Sequence, residues 1–319
     1  MRRLHLSSRP SAWRGLPHAS ARGPTAWRAP PRAPHTRPLA SIALYELEGK
    51  GRALLAEANI CAGATLLQCV PIAKELKATP HAAAVCTHCL GPRRAAPRAG
   101  FCSEDCAAEY SAAGGDLLER CDLRALHAVH AEQNRRFPLL VARLLASLLE
   151  GLRRSGEAPA EWQHAMALCH AVIPDDAMAQ VKEEHAALVA GFTSAGVSDA
   201  QSLQLLLPLE RYTQLLGAAQ LNAFELQTSR GVVISCLLPS VASCFNHSCE
   251  PNVLVSCGET HQVSFVAGRE ISEGEELCIS YAPLDLDYEA RQQIFKYKYA
   301  FTCTCSRCAE ECPEDKPHM

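Results

Sequence analysis

The sequence predicts an α+β fold of several small β-sheets, a helical insertion and two zinc knuckles, and three observations carry that prediction. Short apolar runs broken by glycine turns lie towards both ends of the chain, at Ser41 to Leu47, Ala53 to Val70, Val232 to Leu238, Gln262 to Ala267 and Glu276 to Tyr281. Runs of that length and punctuation read as short strands. Between them, Ala125 to Leu221 has helical periodicity, with Leu140, Leu144, Leu145, Leu148 and Leu149 on one face and Gly151 as the expected stop. Cysteines also cluster at ligand spacing in two places: Cys86 and Cys89 with Cys102 and Cys106, then Cys303, Cys305 and Cys308.

Composition narrows the class. A chain of 319 residues is long enough to bury a core in one large domain with insertions, or in two domains. Seventeen cysteines would suggest a disulfide scaffold in a small secreted chain, but there is no apolar signal region and the cysteines cluster as ligands, so a reducing compartment is expected. Scattered cysteines such as Cys61, Cys69, Cys169, Cys236 and Cys278 read as small buried hydrophobes. Pro138 to Leu149 is too short to span a membrane and carries Arg143, and no apolar stretch is longer. The formal charge is −3, yet the first forty residues hold eight Arg and no acid precedes Glu46, so the body is acidic. That suits a basic partner such as a Lys-rich protein segment, although a solvated acidic surface is the commoner reason for such a charge.

Taken in order, residues 1–38 are rich in Arg, Pro, Ala and Ser without periodicity and are expected to be disordered. They read as an organelle transit peptide, as a plain basic tail, or as a tail held against an acidic surface. Residues 39–79 carry the first strands, with Gly49-Lys50-Gly51 as a turn whose glycines allow close backbone approach. Residues 80–110 hold the first cysteine set, and residues 111–221 the helical insertion. His127, His130, His164, His170 and His185 lie there without partners at ligand spacing and read as surface or satisfied core histidines. Residues 222–288 return to strands, and residues 289–319 contain a helix expected from Ala290 to Tyr297, the last cysteines and a tail.

The densest stretch is Leu238 to Asn252. Asn246-His247-Ser248-Cys249 followed by Pro251-Asn252 crowds donors, acceptors and ligands in a way that packing does not explain. Cys303-Thr304-Cys305-Ser306-Arg307-Cys308 lacks one ligand for a tetrahedral zinc site, and Cys249 is the candidate fourth. The segments Asn246 to Asn252, Gly274-Glu275-Glu276-Leu277-Cys278-Ile279-Ser280-Tyr281 and Tyr299-Ala300-Phe301-Thr302-Cys303 through Cys308 together resemble the SET-domain protein lysine methyltransferases, in their SET-and-MYND branch. The resemblance runs from about Leu39 to Cys308. It implies a SET fold whose C-terminal segment is threaded beneath a loop, with SET-domain parts at 39–79 and 222–288, a reduced MYND-like zinc module at 80–110 and a post-SET zinc knuckle from 289. MYND modules interleave two zinc sites; here one site is missing while all four ligands of the other remain. The compact architecture resembles the shorter plant and algal members.

The resemblance also implies chemistry. S-adenosylmethionine would be the methyl donor, met by Lys50 and Gly51 of the glycine turn, Asn222, Ser243, Asn246 and His247, with Tyr281 and Phe301 beside it. Tyr281 and Tyr299 would be catalytic, their rings and Phe301 walling a narrow channel that holds a neutral lysine in line for attack. Whether Tyr281 removes a proton or only orients the amine stays open at this point. Two zinc ions are expected, one on Cys86, Cys89, Cys102 and Cys106 and one on Cys249, Cys303, Cys305 and Cys308. The expected partner is a protein or peptide bearing a target lysine, histone or non-histone, with no membrane and no direct nucleic-acid binding, acting as a monomer in nucleus or cytoplasm. The rival reading is a catalytically inactive SET and zinc interaction module.

Overall fold

The computed structural model describes residues 2–3, 36–38, 40–77, 82–93, 98–133, 137–198 and 208–312. Two compact units result, one formed by residues 1–68, 244–255 and 264–319, the other by residues 69–243 and 256–263.

In the first unit, Arg2–Arg3 (β1), Ile42–Leu47 (β3) and Gly51–Ala56 (β4) form one sheet, while Thr36–Pro38 (β2), Thr65–Cys69 (β5), Val253–Cys257 (β10) and Val263–Ala267 (β11), of which residues 36–38, 65–68, 253–255 and 264–267 belong to this unit, form another. Residues 2–3 and 36–38, near the two ends of the segment 1–38, form β1 and β2 beside β3 and β5; the residues between lie outside those described. The β3–β4 hairpin pairs Leu47 with Gly51, and Gly49 and Gly51 close the turn at φ of 73° and 71°. Residues with a Cβ avoid that left-handed region, so the turn alone accounts for both glycines. β11 alternates buried and half-buried positions, and its Phe265 stacks on Phe245 with ring centroids 4.5 Å apart. Asn246–His247 (β9) and Cys278–Ile279 (β12) make a two-stranded parallel pair, which brings the Asn-His motif alongside the segment leading to Tyr281. Leu277 N–H donates to Leu54 O at 2.8 Å, so that segment is also fixed to β4.

The C-terminal part begins with a helix over Tyr288–Ile294, capped by Asp287, whose Oδ1 accepts from Ala290 N at 2.8 Å. It continues as a π-turn over Phe295–Tyr299 and stops at Ala300, which adopts φ of 57°. The single helix expected from Ala290 to Tyr297 is thus widened in its second half. Phe301 N–H then donates to Phe295 O at 3.3 Å, and the wider turn sets Tyr299 and Phe301 against buried Phe295.

The second unit is mainly helical, with one sheet in which Val233–Leu237 (β8) lies between Ala73–Leu76 (β6) and Ala223–Gln227 (β7). Its core centres on the helix Phe137–Ser155, whose Leu140, Leu144, Leu145 and Leu148 are buried beside helices Gly115–Arg120 and Leu209–Asn222, with Val181, Leu188 and Phe192 of Met178–Ser194 in the same core. The helix does not stop at Gly151. A Cβ there would lie 2.7 Å from Pro159 Cδ, so this glycine serves close packing. Cys69, Cys236 and Cys278 are buried as expected, whereas Cys61 and Cys169 are exposed; Cys61 sits in a turn closed by Ala64 N–H. Among the described residues no helix is long and apolar enough to cross a membrane.

Candidate functional site

The first unit gathers His247, Tyr281, Phe295, Tyr299 and Phe301 into one aromatic cluster. His247 lies 4.1 Å from Phe295 and 5.4 Å from Tyr281, and Tyr281 lies 4.9 Å from Tyr299, as ring-centroid distances. The Tyr281 hydroxyl donates to the carbonyl of buried Phe245 at 2.7 Å, and its backbone N–H donates to His247 Nδ1 at 3.0 Å. Since Nδ1 accepts, the ring hydrogen belongs on Nε2, which lies 3.3 Å from Cys249 Sγ and donates to it. Burial, helped by the charge of Arg291, holds His247 down at about 4, so the imidazole is neutral. Its side chain is therefore committed inward, tying Tyr281 to Cys249.

Beside the β3–β4 turn, Glu276 receives two further candidates. Lys50 Nζ donates to its Oε2 at 2.6 Å and Asn246 Nδ2 to its Oε1 at 2.8 Å. Both residues thus grip a carboxylate, and the hydrogen bond to Glu276 raises the Lys50 pKa despite partial burial. Gly49 and Gly51 face open space. Buried Asn252 donates to Glu275 Oε1 and Glu276 O and accepts from Cys278 N–H, which makes it a clamp for the β12 segment. The remaining two candidates belong to the second unit. Asn222 ends the helix Leu209–Asn222, its amide donating to Cys169 O at 2.7 Å and Ala218 O at 2.8 Å. Ser243 Oγ is buried without a hydrogen-bond partner among the described residues, an unsatisfied group of the kind a bound ligand can answer.

Both cysteine sets converge. The sulfurs of Cys86, Cys89, Cys102 and Cys106 lie within 4.8 Å of one another, as do those of Cys249, Cys303, Cys305 and Cys308. Four thiolates on one zinc at 2.3 Å stand about 3.8 Å apart, and the Cys249–Cys308 and Cys89–Cys102 separations of 3.5 and 3.6 Å are close to that. All eight are free thiols, so both sets fit a zinc ion. Burial pushes the Cys249 thiol up to about 11 and would raise Cys305 as well, but backbone N–H groups of Cys308 and Cys249 hold Cys305 at about 7. The first set is closed by a tight loop in which Leu90 N–H returns to Cys86 O and Gly91 N–H donates to Cys89 Sγ. The adjoining stretch, which lacks cysteine ligands, is held by Arg98: its guanidinium lies 4.8 Å from the Phe101 ring centre and pairs with Asp116 at 2.7 Å and Glu119 at 2.9 Å.

The small sheets, the parallel Asn-His pairing, the aromatic cluster around Tyr281 and the cysteine centre beside it define a SET-domain protein, and a family model described as SET domain matches residues 51–282. The chain belongs to that family. It is similar to histone-lysine N-methyltransferase ATXR4 of Arabidopsis thaliana, with 28% identity over 286 residues covering 82% of this chain and 84% of that protein. Similarity extends to histone-lysine N-methyltransferase ASHR2 of the same plant, 26% identical over 304 residues, covering 86% and 73%. Protein-lysine N-trimethyltransferase SMYD5 of Homo sapiens is 33% identical over 108 residues, covering 30% and 26%. The homologues thus include both histone-lysine methyltransferases and SET-and-MYND proteins.

Sequence reasoning missed Phe245, Glu276, Arg291 and Phe295 as parts of this constellation. Glu276 lies inside the Gly274 to Tyr281 motif, but its two partners, Lys50 and Asn246, are distant in sequence. Arg291 and Phe295 gave no local signal beyond one helical turn.

Proposed function

We propose that the chain is an S-adenosylmethionine-dependent protein-lysine N-methyltransferase acting on a lysine of a histone or non-histone protein. The observation that carries this reading is Tyr281, whose hydroxyl is pinned to Phe245 O within the ring cluster of His247, Tyr299 and Phe301. S-adenosylmethionine, when bound, supplies a methyl group activated by its sulfonium.

The chain's own residues would do the rest. Apolar rings around Tyr281 exclude water and so favour the neutral form of an inserted lysine amine. With its O–H donated to Phe245 O, the Tyr281 oxygen keeps lone pairs free to accept from an amine N–H. Ionising this phenol would set a negative oxygen 2.7 Å from a carbonyl oxygen. Tyr281 therefore orients the amine and is not its base, and the proton leaves to water. Tyr299 and Phe301 fix the approach direction by contact, which is where most of the acceleration in such a displacement arises. Lys50 and Asn246, which grip the Glu276 carboxylate, have the chemistry to meet the amino-acid end of the cofactor. The open glycine turn would add backbone contacts. A location in nucleus or cytoplasm follows from that substrate class.

Incubating the full-length chain with labelled S-adenosylmethionine and a panel of histones and cell extract tests the reading. Label on a lysine supports it; cofactor binding without transfer to any protein would instead mark a SET and zinc interaction module.

A further inference from the structure

Arg291 is the largest fully buried side chain among the described residues, at 0% exposure, and it lies against the C-terminal cysteine set. Its Nε donates to Cys249 Sγ at 3.3 Å and its Nη2 reaches Cys308 Sγ at 3.8 Å. Nη2 also donates to Glu311 Oε2 at 2.5 Å and Nη1 to Leu286 O at 2.6 Å. Glu311 is shared in turn with Arg307, whose Nε lies 2.8 Å away. A guanidinium cannot shed its proton, so burying it demands acceptors of matching charge. Neutral thiols are weak acceptors; thiolates are strong ones. Four thiolates around a divalent ion leave two net negative charges, and each sulfur keeps lone pairs after one bond to a metal.

We propose that Arg291 is the counter-cation and positioning residue of the C-terminal metal centre, its N–H groups holding the Cys249 and Cys308 sulfurs in place around the ion and slowing its loss. The proposal rests on the reading of this cluster as a zinc site and is independent of methyl transfer. The two sulfurs that Arg291 joins are 59 positions apart in sequence, so it ties the loop after β9 to the C-terminal helix Ser306–Glu311. Cys249 also receives the Nε2–H of His247. Arg291 and His247 therefore approach the same sulfur, and the ring that accepts the Tyr281 N–H is set by that shared contact.

The test uses the full chain and its Arg291→Gln, Arg291→Lys and Glu311→Gln variants. Zinc content is measured by elemental analysis, release rates with a chromophoric chelator, and sulfur-to-metal charge-transfer absorption after cobalt(II) substitution. Losing an outer hydrogen bond to a metal ligand typically weakens retention about 10- to 100-fold. Arg291→Gln is therefore expected to release one of its two ions about 10- to 100-fold faster than the parent, while the ion on Cys86, Cys89, Cys102 and Cys106 leaves at the parent rate. Its charge-transfer band should move to longer wavelength, because sulfur lone pairs relieved of N–H donors are easier to ionise. Arg291→Lys should restore part of the rate but not the band, since one ammonium cannot reach both sulfurs and Leu286 O together. Glu311→Gln should match the parent in both readouts. A folded Arg291→Gln or, should Gln prevent folding, a folded Arg291→Lys with parental release and band would overturn the proposal. So would a Glu311→Gln variant as impaired as Arg291→Gln, which would assign the effect to the ion pair. A parent chain that binds no metal at Cys249, Cys303, Cys305 and Cys308 would sink the zinc reading itself, and methyl transfer by that chain would show that the proposed activity had survived.

Discussion

Replacing Tyr281 by Phe removes one oxygen and tests how the proposed site works. In the parent that oxygen donates to Phe245 O at 2.7 Å, and Phe245 is wholly buried. Losing the donor leaves a buried carbonyl unpaired, which costs roughly 1 to 3 kcal/mol, or a few degrees in melting temperature for a domain of this size. The ring itself stays, with its contacts to His247 and Tyr299. If the oxygen also accepts from the lysine amine in the transition state, turnover loses a hydrogen bond to a group acquiring charge. That is worth about 1.5 to 3 kcal/mol, a fall of about 10- to 150-fold. Cofactor affinity should hold within about twofold, because the hydroxyl is directed to the amine and not to the adenosine. Transfer of labelled methyl to a substrate, calorimetry with S-adenosylmethionine and a thermal melt separate the three effects. A folded variant with full activity would remove Tyr281 from the mechanism, and one that loses cofactor affinity alone would move its hydroxyl to the wrong side of the site.

Elemental analysis of the folded parent should give two zinc ions per chain. Cys249→Ser should retain one and lose most activity, whereas Cys86→Ser should retain one and keep cofactor binding; a Cys249→Ser protein that keeps both ions would break the ligand assignment. Glu150, held between Arg153 and Arg154 at 2.6 and 2.5 Å, has its carboxyl lowered from 4.5 to about 2, chiefly by the Arg153 hydrogen bonds against the opposing effect of burial. Its folded-state pKa is depressed, so its contribution is complete above about 4.5 and disappears as pH falls through about 2. Both arginines are exposed, so after screening we expect about 1 to 2 kcal/mol lost in Glu150→Gln at pH 7. Urea titrations at pH 7 and near pH 2 should show that difference shrinking towards acid, and a constant difference would contradict the assignment. Residues 1–38 fused to a fluorescent reporter should direct it to an organelle if they are a transit peptide, and leave it diffuse if they are a passive basic tail.

The sequence by itself determined the ingredients whose signals are local. Cysteine spacing marked two ligand sets before any fold was known, because a tetrahedral zinc site built from short loops imposes short intervals. Periodicity separated the helical interval from the strands on either side, and the Asn-His and Tyr281 motifs marked the crowded loop. It could not tell what each candidate touches. Lys50 and Glu276 are 226 positions apart and meet only because the segment before Tyr281 lies along β4. Gly151 reads as a helix stop, yet the helix runs on to Ser155 and the missing side chain leaves room for Pro159. The motif marks His247 as a cofactor-side residue, but only the tertiary structure shows that its ring is bound between Tyr281 N–H and Cys249. Arg291 carried no signal at all: an arginine in a short helix is ordinary until the chain closes two thiols and a carbonyl around it. Spacing encodes contacts made within a turn or a loop, whereas charges buried between distant segments are decided by how those segments pack.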